Sequence, residues 1–213
     1  MLENVENGPL AEFISSARIR TYHKGQIIFY PEDVLSHLFV IKSGAISMHD
    51  YDDEGNQKIL HIFGKQTLFP MVNFTSPSPT AAWFYSALTD VEVYLIPFKT
   101  LQAHMATPAG IECFNYILLQ NQQEIHELLV RLRSFGKSTS TARVLSTLTF
   151  LATHHGKKRR GDWHRIALPT SQQLLADISG VTRESVNNAI KQLQTQGLVR
   201  YRSPLTVEVK MAT

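Results

Sequence analysis

Residues 170–197 read TSQQLLADISGVTRESVNNAIKQLQTQG, and this stretch decides the architecture. Thr170 followed three positions later by Gln173 has the form of a capping box, in which a hydroxyl and an amide satisfy the orphan N–H groups of a helix start. Leu174, Leu175 and Ile178 recur at helical spacing, and Gly180 supplies the stop. Thr182 opens a second helix with Val186, Ala189, Ile190 and Leu193 on one face and Arg183, Glu184, Asn187, Asn188 and Lys191 on the other, ended by Gly197. Two short helices joined by a glycine turn, the second showing a polar face outward, form a helix-turn-helix. Runs at 198–201 and 206–209 flank Ser203-Pro204, so a β-hairpin wing follows.

These side chains suit the major groove of duplex DNA. Arg pairs with guanine acceptors, Glu accepts from the cytosine amino group, and Asn matches adenine. The expected base contacts are Arg183, Glu184, Asn187 and Asn188, because the first turns of the second helix reach base edges most easily. Expected phosphate contacts are Thr170, Ser171, Ser185, Lys191, Arg200 and Arg202. Charge points the same way. The 213 residues carry a net charge of only +3, yet residues 1–136 hold 9 Lys/Arg against 14 Asp/Glu and residues 137–213 hold 12 against 4, or −5 and +8. One part of the chain is built to meet a polyanion and the other is not.

Working outward, residues 139–154 form a further helix on Ala142, Val144, Leu145, Leu148 and Leu151, residues 157–160 (Lys-Lys-Arg-Arg) read as a basic turn, and 163–168 as a short strand. Upstream of these, Ile111, Leu118, Ile125 and Leu132 recur every seven residues, with Phe114, Asn121, Leu128 and Phe135 as a second series offset by three. A helix lying on its own β-domain can show such a stripe, but strict heptads with one polar residue in the seam favour a second copy of the same helix. From residue 19 to 98 the pattern changes to short apolar runs (27–30, 37–41, 45–48, 59–63, 83–87, 91–96) separated by Gly, Pro and Asp, the signature of a β-sandwich or barrel. The single Cys113 rules out an internal disulfide, the acidic N-terminal residues are unlike a signal peptide, and no run is long enough to span a bilayer, so a cytoplasmic protein is expected.

With these residues in place, the chain resembles the Crp/Fnr superfamily of bacterial transcription regulators over residues 18–210. Residues 178–186 (ISGVTRESV) carry the most specific part, and 24–29 (KGQIIF), 38–44 (LFVIKSG) and 87–93 (ALTDVEV) resemble segments of the family's sensor. The resemblance implies an α+β chain: a cyclic-nucleotide-binding-like β-roll (jelly roll) at 1–107, a dimerisation helix at 108–136 and a winged helix-turn-helix at 137–213. It implies a homodimer on palindromic double-stranded DNA, with Arg183 and Glu184 reading a G·C pair and RNA polymerase as protein partner. Relatives of cyclic-AMP type carry a second Arg where this chain has Asn188, so the half-site is expected to differ from theirs.

The sensor departs further. A cyclic-nucleotide pocket uses a Gly-Glu for the ribose and an Arg-Ser for the phosphate, whereas the matching positions here are Phe69-Pro70 and Ala81-Ala82. Burying a phosphate without a cation is costly, so cyclic AMP is disfavoured. Phe69, Met71, Ala81, Ala82, Trp83 and Phe84 remain the candidate lining for some other effector, whose identity is unknown. An iron–sulfur cluster needs about four cysteines, and haem, for which the β-region offers His23, His37, His49 and His61, is disfavoured because in a chain with nine histidines any single one is more readily a surface or core residue. No cofactor is expected. Cys113 is either an inert helix thiol or an oxidant sensor. Two readings of the roll stay open, a ligand sensor or a ligand-independent scaffold and polymerase contact surface. A jelly-roll metalloenzyme would need a His-x-His pair that is absent, and no G-x-S-x-G, H-E-x-x-H or phosphate-loop motif occurs, so an enzyme is not expected.

Overall fold

The computed structural model describes residues 5–70, 79–203 and 206–211, without the side chains of residues 202 and 203. Met71 and the side chain of Arg202 therefore lie outside the described residues. By packing, the chain divides into two units, 1–50 with 60–126 and 51–59 with 127–213.

The first unit begins with a short helix α1 (Ala11–Ser15), followed by strands β1 (Arg18–Tyr22), β2 (Ile27–Phe29), β3 (His37–Ser43), β4 (Ile46–Tyr51), β5 (Gln57–Phe63), β6 (Leu68–Phe69), β7 (Phe84–Ala87) and β8 (Val91–Pro97) and helix α2 (Phe98–Met105). They form two four-stranded sheets of order β1-β8-β3-β6 and β2-β7-β4-β5. In β8, Val91 and Val93 alternate inward as a half-buried strand requires, while Leu38 to Ile41 of the central β3 are buried without alternation. The sheets meet through aromatic rings. Phe29, Phe39, Phe63, Phe69 and Tyr85 come from five different strands, with neighbouring centroids 5.0 to 6.2 Å apart. Gly44 closes the β3–β4 turn at φ +87, where a Cβ would stand 2.2 Å from the Asp90 carbonyl oxygen.

Helix α3 (Ile111–Phe135) runs 25 residues, and the division between the two units falls within it. The second unit continues with α4 (Ser140–His154), β9 (Gly156–Lys158), β10 (Trp163–Ile166), α5 (Gln172–Ser179), α6 (Arg183–Thr195), β11 (Val199–Ser203) and β12 (Thr206–Lys210). The Thr139 hydroxyl caps α4 by accepting from the Ala142 N–H at 3.1 Å. Val144, Leu148 and Leu151 of α4, Leu175 and Ile178 of α5, Val186, Ile190 and Leu193 of α6, and Val207 and Val209 of β12 are buried together. At roughly 1.5–3 kcal/mol for each such side chain, this core is what holds the helices in register. The four strands are ordered β11-β12-β10-β9. Residues 157 and 158, expected in a turn, belong instead to edge strand β9, paired as Lys157 with Arg165 and Lys158 with His164. Lysine on a strand edge is compatible with pairing on one side and water on the other.

The α+β class and the order of β-roll, long helix and helix-turn-helix thus hold in the structure.

Candidate nucleic-acid interface

Three local devices present α6. The Ser171 hydroxyl caps α5 by accepting from the Leu174 N–H at 3.1 Å. The cap expected at Thr170 is thus displaced by one residue and no reciprocal box forms, because Leu174 stands three positions after Ser171 and Gln173 donates to Asp177 at 2.7 Å rather than reaching backward. Gly180 ends α5 in the left-handed conformation at φ +63, and a Cβ there would lie 2.9 Å from the Phe135 ring. Only glycine satisfies both the dihedral and the ring above it. Thr182 then caps α6, its Oγ1 accepting from the Ser185 N–H at 3.1 Å and donating to the Ser185 Oγ at 2.9 Å.

With the apolar side of α6 buried, Arg183, Glu184, Asn188 and Lys191 are left exposed on its other side. Asn187 is half-buried, and its amide oxygen accepts from Gln172 Nε2 at 3.2 Å, which fixes its orientation and occupies one acceptor position. An open cleft lined by Ser171, Gln172, Gln173, Arg183 and Tyr201 joins the starts of both helices to strand β11. Ser171 and Ser185 are half-buried at two helix N-termini, Lys191 and Arg200 are exposed, and the Arg200 guanidinium rests on the Trp163 ring, 3.7 Å from its centroid. Thr170 is a correction: it is wholly buried beneath α5, so its hydroxyl does not face solvent and cannot take a phosphate.

A second open cleft shares Arg183. Asp52, Glu54, Asn56 and Lys58, from the end of the β4–β5 hairpin, line it together with Gln173, Asp177 and residues 180–183 of the helix-turn-helix. Asp52 accepts from the Glu54 and Asn56 N–H groups and pairs with Lys58 at 3.1 Å, which holds its carboxyl down at about 2. Beside this hairpin lies a residue that the sequence reading missed. Arg131 of α3 is buried, donating through Nη2 to the carbonyls of Ile59 at 2.8 Å and Ile178 at 3.1 Å, with its guanidinium 5.9 Å from the Phe150 centroid. Burial lowers its pKa to about 10, so it stays charged at neutral pH.

Arg131 belongs to a stripe that points inward. Cys113, Ile117, Gln120, Glu124, Arg131 and Ser134 are buried, whereas Ile111, Leu118, Ile125 and Leu132 of the heptad seam are 56%, 44%, 50% and 62% exposed. Phe114 is exposed as well, Asn121 and Leu128 are half-buried, and Phe135, exposed on one side, covers Gly180 with its ring. Burial in a core normally selects apolar residues, so a polar inward stripe gives no hydrophobic signal, and only its own seven-residue spacing beside the apolar heptads marks it.

The effector candidates separate. Phe69 is a correction: it is fully buried against Phe39, Phe63 and Tyr85 and belongs to the packed interior. Ala81 is buried and bonded through its backbone to Glu32 and Asp33, Ala82 and Trp83 are exposed, and Phe84 is half-buried with His49 stacked on its ring.

Two family models match the chain, the cyclic nucleotide-binding domain over residues 19–107 and the Crp-like helix-turn-helix domain over residues 142–210. The HTH-type transcriptional regulator ArcR of Staphylococcus epidermidis is 27% identical over 198 residues, covering 92% of this chain and 84% of its own, and ArcR of Staphylococcus aureus is 26% identical over 200 residues, covering 92% and 82%. Among solved structures, the c-di-GMP responsive global regulator CLP of Xanthomonas campestris shares the fold at a TM-score of 0.77 and 22% identity, covering 96% of this chain and 99% of that one. FixK2 of Bradyrhizobium japonicum does so at 0.72 and 19%, covering 92% and 93%. Among the described residues no helix is long and apolar enough to cross a membrane. A cyclic nucleotide-binding domain followed by a Crp-like helix-turn-helix, with relatives matched over most of its length, makes this chain a homologue of the Crp/Fnr transcription regulators.

Proposed function

We propose that the protein is a homodimeric, sequence-specific DNA-binding regulator that reads a palindromic site and does not respond to cyclic AMP. The observation that carries the DNA reading is the presentation of Arg183 and Glu184 in the first turn of α6, beyond the Thr182 cap and beside the cleft that contains Tyr201. Arg183 and Glu184 would read one G·C pair, with Asn188 one turn further on favouring adenine, while Ser171, Ser185, Lys191 and Arg200 would hold phosphates. Dimerisation is supported by the exposed apolar stripe of α3, which a single chain leaves in water over about seven turns. Two copies paired there would set recognition helices about 34 Å apart, one turn of duplex, which is why a palindrome is expected. Bound at a promoter, such a dimer would act on RNA polymerase.

The cyclic nucleotide reading fits poorly with the residues present. Neither Ala81 nor Ala82 carries a charge for a cyclic phosphate, and Phe69 stands among aromatic rings where a ribose partner would be needed. This supports a roll that works without a cyclic nucleotide, either with another effector near Trp83 and Phe84 or as a scaffold. Selection of bound sequences from a random duplex pool, with sedimentation of the same preparation, tests the function. The expected result is an enriched inverted repeat bound by two chains, and no enrichment would defeat the reading. Calorimetry with cyclic AMP is expected to show no heat of binding at micromolar concentrations.

A further inference from the structure

We propose that the outer face of the four-stranded sheet is a second DNA surface, one that takes the phosphate backbone of the duplex flanking the half-site. The proposal rests on the DNA-binding reading and extends it to residues outside the helix-turn-helix and the wing.

The register places the residues. Arg200 pairs with Glu208, Glu208 with Arg165, and Arg165 with Lys157, so one row crosses all four strands in the order β11, β12, β10, β9. Directly paired antiparallel residues share a face of the sheet. The next residues along, Val199, Val207, Val209 and Ile166, point the other way and are buried. Lys210 and Trp163 pair on the same outer side as the row, where Arg200 lies on Trp163.

The charge of this face is one-sided. Arg200, Arg165, Lys157 and Lys210 are exposed cations, and Glu208 is only 8% exposed, enclosed between Arg200 and Arg165. Arg165 directly faces Lys157, a like-charge cross-strand pair that destabilises a sheet in isolation. Glu208 offsets one charge from the other side of Arg165, which leaves the row of four at a net +2, and a polyanion supplies the counter-charge. Trp163 holds the Arg200 guanidinium against the sheet, which reduces the side-chain entropy lost on meeting a phosphate.

Position and size also match. Tyr201, the neighbour of Arg200 in β11, pairs with Val207 and lies on the inner side of the sheet, where it lines the cleft that contains Arg183, so the outer face and the major-groove site share the edge strand β11. Three strand spacings carry the row about 14 Å from β11 to β9. Phosphates of one DNA strand follow the backbone at roughly twice their 3.4 Å axial rise, so that distance meets two or three of them. The occupant is therefore duplex DNA continuing past the half-site, rather than a small anion.

The test uses the full chain, the triple variant Lys157→Gln, Arg165→Gln, Lys210→Gln, and two duplexes bearing the same palindrome selected by the wild type. One duplex ends at the selected repeat, and the other extends about 10 base pairs beyond it on each side, close to one further helical turn. Anisotropy titrations between 50 and 200 mM salt are expected to show the wild type binding the long duplex at least tenfold more tightly. The variant should match the wild type on the short duplex, lose the advantage on the long one, and have a long-duplex salt slope shallower by roughly 0.9 for each phosphate contact removed. Its matching affinity for the short duplex also reports that the variant is folded. The proposal is overturned if the variant keeps the long-duplex advantage, or if it weakens both duplexes equally. Unchanged DNA binding with reduced transcription by purified polymerase would also overturn it, by assigning the face to an acidic protein surface. Intact short-duplex binding in these cases leaves the DNA reading standing, whereas failure of the wild type to select any sequence defeats both.

Discussion

Helices α6 and α3 are both amphipathic, and they are mounted in opposite senses. In α6, Val186, Ala189, Ile190 and Leu193 are buried and Arg183, Glu184, Asn188 and Lys191 face water, as expected of a helix docked on a core. In α3 the stripe turned inward carries Gln120, Glu124, Arg131 and Ser134, while Ile111, Phe114, Leu118, Ile125 and Leu132 face water. The polar face of α6 is stable in solvent and available to a polar partner. The apolar face of α3 is not at ease in solvent, and its heptad spacing matches a copy of itself. One helix is thus finished by its own chain, and the other is left with an apolar face in water.

The largest effect is expected from a charge placed on the α3 stripe. Leu118→Glu or Ile125→Glu puts a carboxylate in the seam, where pairing of two copies would bury it without a counter-ion. Sedimentation should give monomers. Affinity for an inverted repeat should fall by about 10²–10⁴, because the second half-site is no longer bound by a tethered copy. Retained dimers would break the contrast between the two helices.

Next comes a paired truncation that applies the same chemistry to both. Leu193→Ala in α6 removes a buried side chain and should cost about 2–5 kcal/mol in denaturant unfolding, through lost burial and a cavity. Leu132→Ala in α3 removes a side chain that is 62% exposed in the single chain. It should leave the unfolding of the dissociated chain within about 0.5 kcal/mol and weaken only the dimer. Equal costs at both sites in dissociated protein would mean that α3 is covered by its own chain.

A smaller effect is expected at the exposed face of α6. Arg183→Ala should weaken the selected duplex by about 1–3 kcal/mol and relax preference at one position, leaving the others intact. Since Arg183 is exposed and Thr182 holds the helix start, the thermal midpoint should not move. Uniform loss over all sequences would demote Arg183 to a phosphate contact.

The sequence made these two helices legible to different degrees. The apolar spacing of α6, its Thr182 cap and the Gly180 turn are local features, and local features survive folding unchanged. The α5 cap moved by one residue because Thr170 and Ser171 are both competent caps, and which hydroxyl is buried depends on the core above them. For α3 the heptads were visible, but not the role of Arg131, whose carbonyl partners at Ile59 and Ile178 lie 72 and 47 residues away in sequence. Phe69 was misplaced for a related reason. Its rank among pocket candidates came from position in the chain, whereas its burial is set by Phe39, Phe63 and Tyr85 on three other strands. Strand β9 escaped notice because its lysines pair at an edge, where hydrophobic alternation is not required.

The smallest effect concerns the inward stripe of α3. Cys113 lies on it, buried, and burial pushes its thiol up to about 11. The thiolate is the reactive form, and at neutral pH such a thiol is almost wholly protonated as well as shielded. Native protein should therefore label with a thiol reagent orders of magnitude more slowly than protein in denaturant. DNA affinity should change by less than about twofold after mild oxidant, well under the 1.4 kcal/mol that a tenfold change represents. Rapid labelling of the native protein would show that α3 turns or lifts from its inward contacts. The distinction between its two faces would then be a property of one state of the helix and not of the fold.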